Sequence, residues 1–355
     1  WLINYSGGFT KRGIIGQLCI YLANYLDLNL RDSILIFQVL ILIVYFSALY
    51  LFLKNIQINK IIILAIFTPV FILYPVAEIE VLARKEIFIF CIFLFYLFLT
   101  KSTYRLYYKL FFLPLAVLIW EPVFFFFLFF FAIDLIQAKS KKLDIAFAKI
   151  ICSFVPAIIL AFYIALNPLS EDSHQVMTNY LMINFNEGCY MACTLLESKS
   201  SIYDQFAGNF DFYSFEVFFR YILIILVGFG PLFLLAFNST LKNSKIIFFE
   251  KFDNLLSPIL ICLTPVIFLF AMGYDWGRWV NISYVFSIIF YIYLYKNNQV
   301  LLNQNFLNNK VFKSLNNKKF FIIFVIIFCF GWNPKTAISG DIATNPLWKI
   351  PYKTS

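Results

Sequence analysis

Asp275 and Arg278 stand three residues apart in Met272-Gly273-Tyr274-Asp275-Trp276-Gly277-Arg278-Trp279, between two long apolar runs that otherwise hold almost no charge. Ionisable groups are costly at membrane depth, so such a cluster marks a candidate site. Glu78, Glu80, Arg84, Lys85 and Glu86 fall between two other apolar runs, Glu121 stands at the turn Trp120-Glu121-Pro122, and Lys11-Arg12 follow the glycines Gly7-Gly8. Arginine grips phosphate oxygens in bidentate fashion and lysine supplies a mobile point charge, so Arg278, Arg84, Lys85, Lys11 and Arg12 are the candidate phosphate ligands. A carboxylate in an apolar setting has its pKa raised by desolvation and suits general base work, which makes Asp275 and Glu121 the candidate catalytic residues.

Each residue also has a plainer reading. Asp275 and Arg278 could simply pair with each other, Glu121 could be a solvated loop tip, and Glu80 and Arg84 could pair along one helix face. Lys11 and Arg12 could be interfacial anchors that snorkel, and Lys85 and Glu86 ordinary end-of-span charges. Trp276 and Trp279 read as interfacial aromatics, His174 as a surface residue, and the Phe124–Phe131 run as lipid-facing or packing filler. No metal-ligand spacing occurs and the chain has 1 histidine, so neither a metal nor a cofactor is expected. Of 7 cysteines, only Cys189 and Cys193 share a polar loop. They could form a disulfide if that loop is extracytoplasmic, or remain two thiols.

The elements that must position these residues follow from composition. With 62% hydrophobic and 13% charged residues and a mean hydropathy of +0.82, the chain reads as a polytopic membrane protein. The net charge of +9 sits in short loops, where the positive-inside rule needs it, so nucleic acid is not an expected partner. Apolar runs bounded by charge predict an all-α transmembrane helix bundle of about ten membrane segments, roughly 34–53, 61–76, 87–100, 110–120, 122–133, 145–166, 216–237, 255–273, 279–295 and 320–332. The stretch 110–133 could cross once. A turn at Trp120-Glu121-Pro122, where proline cannot continue a helix from upstream, instead makes a hairpin, and it is the expected arrangement because it brings every basic loop to one face. Loops 54–60, 101–109, 134–144, 238–254 and 296–319 then face the cytoplasm, while 1–33, 77–86, 167–215, 274–278 and 333–355 are extracytoplasmic. The chain reads as one integral membrane domain, with 1–33 an outer interfacial segment (Ile14–Leu28 an amphipathic helix within it) and 167–215 a folded outer loop. Starting at Trp1 without a methionine, it also reads as lacking an N-terminal span. The candidate residues would form a ring of mixed charge at the outer membrane surface, above midspans that look free of charge.

Gly8-Phe9-Thr10-Lys11-Arg12-Gly13, Arg84-Lys85-Glu86, Trp120-Glu121-Pro122 and Asp275-Trp276-Gly277-Arg278-Trp279, set in this layout, resemble bacterial membrane proteins of surface-polysaccharide assembly. The families concerned are the O-antigen polymerase type and the lipid-linked-sugar glycosyltransferases of the GT-C type. The resemblance covers the architecture of the whole chain and rests on no diagnostic motif. It implies a bacterial inner-membrane enzyme that moves a sugar from a polyprenyl-phosphate or polyprenyl-pyrophosphate donor to a glycan acceptor at the outer leaflet. It also implies a catalytic acid residue in the first outer loop, where Asp27 and Asp32 stand. Asp275 or Glu121 would take the acceptor proton, and Arg278, Arg84, Lys85, Lys11 and Arg12 would hold the leaving phosphate. The competing class is a transporter or flippase for a lipid-linked glycan or small solute, which should carry charge at mid-bilayer in broken helices.

Overall fold

The computed structural model describes residues 1–138, 145–190, 193, 196, 206–242, 249, 251–303, 315, 317–340 and 342–343. The chain is mostly helical. Its helices are α1 (Gly13–Leu26), α2 (Leu30–Leu53), α3 (Lys60–Ile66), α4 (Tyr74–Ala77), α5 (Glu86–Phe98), α6 (Ser102–Ile119), α7 (Phe127–Ala138), α8 (Ile145–Cys152), α9 (Val155–Leu166), α10 (Glu171–Phe185), α11 (Phe215–Gly228), α12 (Gly230–Phe237), α13 (Leu256–Leu263), α14 (Ile267–Met272), α15 (Trp276–Lys296) and α16 (Lys318–Phe330). Two antiparallel ribbons pair Ser239–Leu241 with Val300–Leu302 and Asn333–Pro334 with Ile342–Ala343.

Ten membrane segments are not found. Among the described residues three helices are long and apolar enough to cross a bilayer, Leu30–Leu53, Glu121–Ala138 and Ile145–Leu166; α11 and α12, bent by 57°, make a fourth if they form one span. Apolar composition runs on where helical geometry stops. The expected segment 61–76 is the seven-residue α3 followed by turns and α4, and 255–273 breaks at a 3-10 turn that contains Pro265. Helices α5 and α16 have 13 residues each, about 20 Å of rise against a hydrocarbon core of about 30 Å. Helix α15 is long enough at 21 residues, but every residue from Trp276 to Leu294 is buried and Asn281, Ser283, Tyr284, Ser287 and Tyr291 make it too polar for a lipid-facing span.

The chain divides into two compact units, one of Trp1–Phe52, Ala83–Asp134 and Leu143–Asp204, the other of Leu53–Leu82, Leu135–Lys142 and Gln205–Ser355. In the first unit the expected hairpin is present. Helix α6 ends at Trp120, whose extended backbone (φ −159°, ψ 97°) turns the chain into a 3-10 segment, Glu121–Phe126, that starts on Pro122 and runs into α7. Lys109 on α6 and Asp134 on α7 form a buried ion pair across the hairpin. One continuous helix would hold those residues about 37 Å apart. Lys109, Arg105 and Asp134 were expected in cytoplasmic loops; they lie in helices and are buried. The hydroxyl of Tyr96, on α5, donates to the same Asp134 carboxylate, and Lys109 also lies over the Phe154 ring at 4.5 Å. In the phenylalanine run, Phe126, Phe127, Phe129 and Phe130 are buried, Phe130 against Phe93 (centroids 4.9 Å apart), so that run packs the interior.

The segment expected to be a folded outer loop begins with α10. Ser170 caps it by accepting from the Ser173 amide, and Glu171 and Asp172 face the positive end of its dipole. Cys189 and Cys193 form a disulfide, and a small core of Ile3, Leu169, Met177, Cys193 and Leu196 ties the N-terminal strand of chain to this loop. His174 is not on the surface: it is buried, with Nε2 donating to the Cys193 carbonyl at 3.1 Å. A helix does form where Ile14–Leu28 was expected, as α1.

In the second unit α15 is the central helix. Asn281 Nδ2 donates to the Val70 carbonyl at 2.9 Å and the Tyr284 hydroxyl to the Ala65 carbonyl at 2.7 Å. Between α11 and α12 the chain bends ahead of Pro231, and the Gly228 carbonyl at the bend accepts from the Thr68 hydroxyl at 2.8 Å. A broken helix in an apolar setting survives when neighbouring side chains take up its freed backbone groups.

Candidate functional site

Four of the candidate residues meet in the first unit. Arg12 carries a left-handed backbone (φ 61°) just before α1, which aims its guanidinium at the hairpin tip. There Nε and one Nη each donate to a different oxygen of Glu121, both at 2.7 Å, in a bidentate pair. Lys85, buried at the start of α5, donates Nζ to the Arg12 carbonyl at 2.6 Å and so holds the turn that presents the guanidinium. Lys11 completes the group electrostatically, attracted by Glu121 and repelled by Arg12. Thr10, one residue earlier, is buried and its hydroxyl lacks a partner. The N-terminal segment reaches this place because Gly7 lies flat against α10; a Cβ there would stand 1.9 Å from the Ser173 carbonyl oxygen.

Arg12, Lys11 and Lys85 all act electrostatically on Glu121 or feel its charge. Burial pushes Lys85 down to about 7, and the Arg12 charge pushes the same way, while Glu121 and Cys19 pull it back up. Burial also lowers Lys11, against the pull of Glu121. Both shifts come first from burial of the ammonium groups, and an arriving anion would favour their protonated forms. Glu121 was expected to be a desolvated base or a solvated tip. It is neither as it stands, because a guanidinium occupies both its oxygens.

Arg84 is half-buried in the turn before α5, next to Ala83, whose left-handed backbone (φ 58°) breaks any helix shared with Glu80. The expected helix-face pairing of Glu80 with Arg84 therefore has no helix to form on. Asp27 ends α1 with φ 52° and Asp32 lies in the first turn of α2.

Asp275 and Arg278 lie in the second unit. Their plainer reading holds in part, since Arg278 donates to Asp275 at 2.6 Å. Asp275 is the residue before α15 and Arg278 its third, with the guanidinium 5.0 Å from the Trp279 ring centroid. Trp276 and Trp279 are buried rather than interfacial: Trp276 packs against Tyr213, Phe218, Tyr221 and Phe270 and donates its indole N–H to the Phe270 carbonyl at 2.7 Å. Glu78, also in this unit, is buried and accepts from Asn333 Nδ2 at 2.7 Å and from Lys335 Nζ at 2.8 Å. The candidate residues thus divide between the two units, five in the first (Lys11, Arg12, Arg84, Lys85, Glu121) and two in the second. No family model, no curated protein and no solved structure matches the chain.

Sequence reasoning missed the partners Lys109, Asp134 and Tyr96, and the part played by Asn333 and Lys335. For the first pair a signal existed: Lys109 and Asp134 lie 12 residues before and 13 after Glu121, opposite charges at matched distances from a turn. No spacing rule links Glu78 to Asn333, which only the folded chain brings together. Among the described residues no group of His, Cys, Asp and Glu could hold a metal ion.

Proposed function

We propose that the protein is a membrane glycosyltransferase or polysaccharide polymerase that takes a polyprenyl-phosphate-linked sugar at the outer face of a bacterial inner membrane. The observation that carries the proposal is the bidentate Arg12–Glu121 pair set among Lys85 and Lys11. A donor phosphate competes with Glu121 for the guanidinium, because both offer oxygens at the same spacing. Its arrival releases the carboxylate beside the reacting sugar. Glu121 then takes the acceptor hydroxyl proton, the acceptor oxygen bonds to the anomeric carbon, and the bond from that carbon to the phosphate oxygen breaks. The electron pair leaves with the polyprenyl phosphate, whose charge Arg12, Lys85 and Lys11 stabilise. Arg84, beside Lys85, and the Asp275–Arg278 pair are the remaining candidates for phosphate contact and proton transfer.

The disulfide supports the outer-face assignment. Disulfides persist in oxidising compartments, and the core that holds Cys193 also holds Ile3, nine residues from Arg12. The buried Lys109–Asp134 pair and the bent α11–α12 helices favour a second reading, transport or flipping of a lipid-linked glycan, since charge and broken helices inside the apolar layer are features of carriers.

The test is deletion of the gene in its host, followed by complementation with wild type, Glu121→Gln or Asp275→Asn and comparison of surface glycans by gel and mass spectrometry. Collapse of a ladder to one capped repeat identifies a polymerase, and loss of one defined sugar a transferase. Unchanged glycans in the expressing deletion strain overturn the proposal.

A further inference from the structure

In the second unit, helix α16 is spent on neither the core nor the phosphate site: of its 13 residues only Cys329 is buried. Lys319, Ile322, Ile323, Ile326 and Ile327 recur at spacings of three and four, so they share one helix face, and all five are exposed. From Lys319 to Ile327 the helix rises about 12 Å, close to the ~15 Å of hydrocarbon in one leaflet. An isoleucine stripe of that length with a cation at its head matches a single amphiphile, its chains along the stripe and its head at the ammonium group.

The charge at this end calls for an anion from outside. Lys318 and Lys319 are exposed, and among the described residues neither has an ion pair. Helix α16 contains no acidic residue. Asn317 already accepts from the Lys319 and Phe320 amides, so the two side chains, not the helix end, present the charge. Two cations in a first turn oppose the helix dipole, a repulsion that a bound anion relieves. Other cations gather here. Lys60 donates to the Leu315 carbonyl at 2.7 Å and stands 5.6 Å from the Phe321 ring centroid, and the Tyr295 hydroxyl, next to Lys296, donates to the Gln57 carbonyl at 3.4 Å. The fold thus joins two stretches, 54–60 and 296–319, that the positive-inside rule assigns to the cytoplasmic face, where the leaflet carries anionic lipid.

We propose that the exposed face of α16 binds an anionic phospholipid, whose headgroup phosphate pairs with Lys318 and Lys319 and whose acyl chains lie along Ile322, Ile323, Ile326 and Ile327. The full chain in zwitterionic micelles is titrated with phosphatidylglycerol and with phosphatidylcholine, and bound lipid is counted by native mass spectrometry. Wild type holds phosphatidylglycerol more tightly by roughly tenfold or more, since each lysine near a phosphate layer adds its own attraction. Lys318→Gln/Lys319→Gln abolishes that preference and Lys318→Arg/Lys319→Arg keeps it. Lys101→Gln/Lys149→Gln, which removes the same charge from two exposed lysines of the first unit, also keeps it. Ile323→Ser/Ile327→Ser weakens both lipids alike. Equal binding of the two lipids to wild type, a preference that survives Lys318→Gln/Lys319→Gln, or one lost equally in Lys101→Gln/Lys149→Gln would each overturn the proposal. So would a wild-type dimer that holds no lipid and that Ile323→Ser/Ile327→Ser separates, because the face would then belong to a second copy of the chain.

Discussion

Replacing Asp134 by leucine leaves Lys109, with 1% of its side chain exposed, facing only the Phe154 ring 4.5 Å away. A cation over an aromatic ring gains about 2 kcal/mol when desolvated, far short of what an ammonium needs to stay buried. Breaking a buried pair by removing one partner costs about 3–5 kcal/mol, a large share of the roughly 5–15 kcal/mol that holds a domain folded. Lys109→Met should cost less than Asp134→Leu, because the Asp134 carboxylate keeps the Tyr96 hydroxyl as a donor whereas the ammonium keeps no anion. The double variant Lys109→Met/Asp134→Leu removes both charges and fills the site with apolar atoms. Its stability should return to within about 1 kcal/mol of wild type, or exceed it. Unfolding of the four proteins in mixed micelles, followed by far-UV circular dichroism against denaturing detergent, gives the coupling energy from the cycle. If each single costs under about 1 kcal/mol, or if the double loses the sum of the singles, the pair is not the clasp of the hairpin and the reasoning fails.

Four other outcomes follow from the same geometry. Sulfate, whose charge is constant near neutrality, should bind the first unit's site more weakly as pH rises through about 7, where buried Lys85 loses its proton; isothermal titration with Lys85→Met should show that slope flattened. Because an unfolded Lys85 stays protonated up to its ordinary 10.5, the unfolded chain holds the extra proton between about 7 and 10.5, so stability should rise with pH across that window in wild type and less in Lys85→Met. Cys189→Ser/Cys193→Ser opens a very short loop and should cost about 2 kcal/mol; in wild-type cells a membrane-impermeant maleimide should label these thiols only after reduction, and labelling without reductant would deny the disulfide. Gly277→Ala drives a Cβ to 1.9 Å from the Lys335 carbonyl oxygen, so it should displace the chain around Lys335 and lower the unfolding temperature, unlike Gly188→Ala, where a Cβ meets open space.

Apolar composition and the scarcity of charge determined from the sequence that the chain is helical and suited to a bilayer, because backbone groups in hydrocarbon must satisfy one another. The charge of the loops made the hairpin legible, since only a turn at Trp120-Glu121-Pro122 brings the basic loops to one face; a proline alone does not end a helix, as Pro114 inside α6 shows. Composition overcounted the spans: a mostly apolar run serves equally for lipid and for an interior, and α15 is enclosed from Trp276 to Leu294 with polar residues among its apolar ones. Pairing was decided by tertiary structure. Arg12 and Glu121 are 109 positions apart, and Glu78 and Lys335 257, distances over which no local periodicity carries information. The sequence could rank Arg12, Lys85 and Glu121 as candidates by charge in apolar surroundings. Whether a carboxylate is a free base, a half of an ion pair or a tether for a distant stretch of chain depends on which side chain the fold brings within about 3 Å of it, and only the folded chain fixes that.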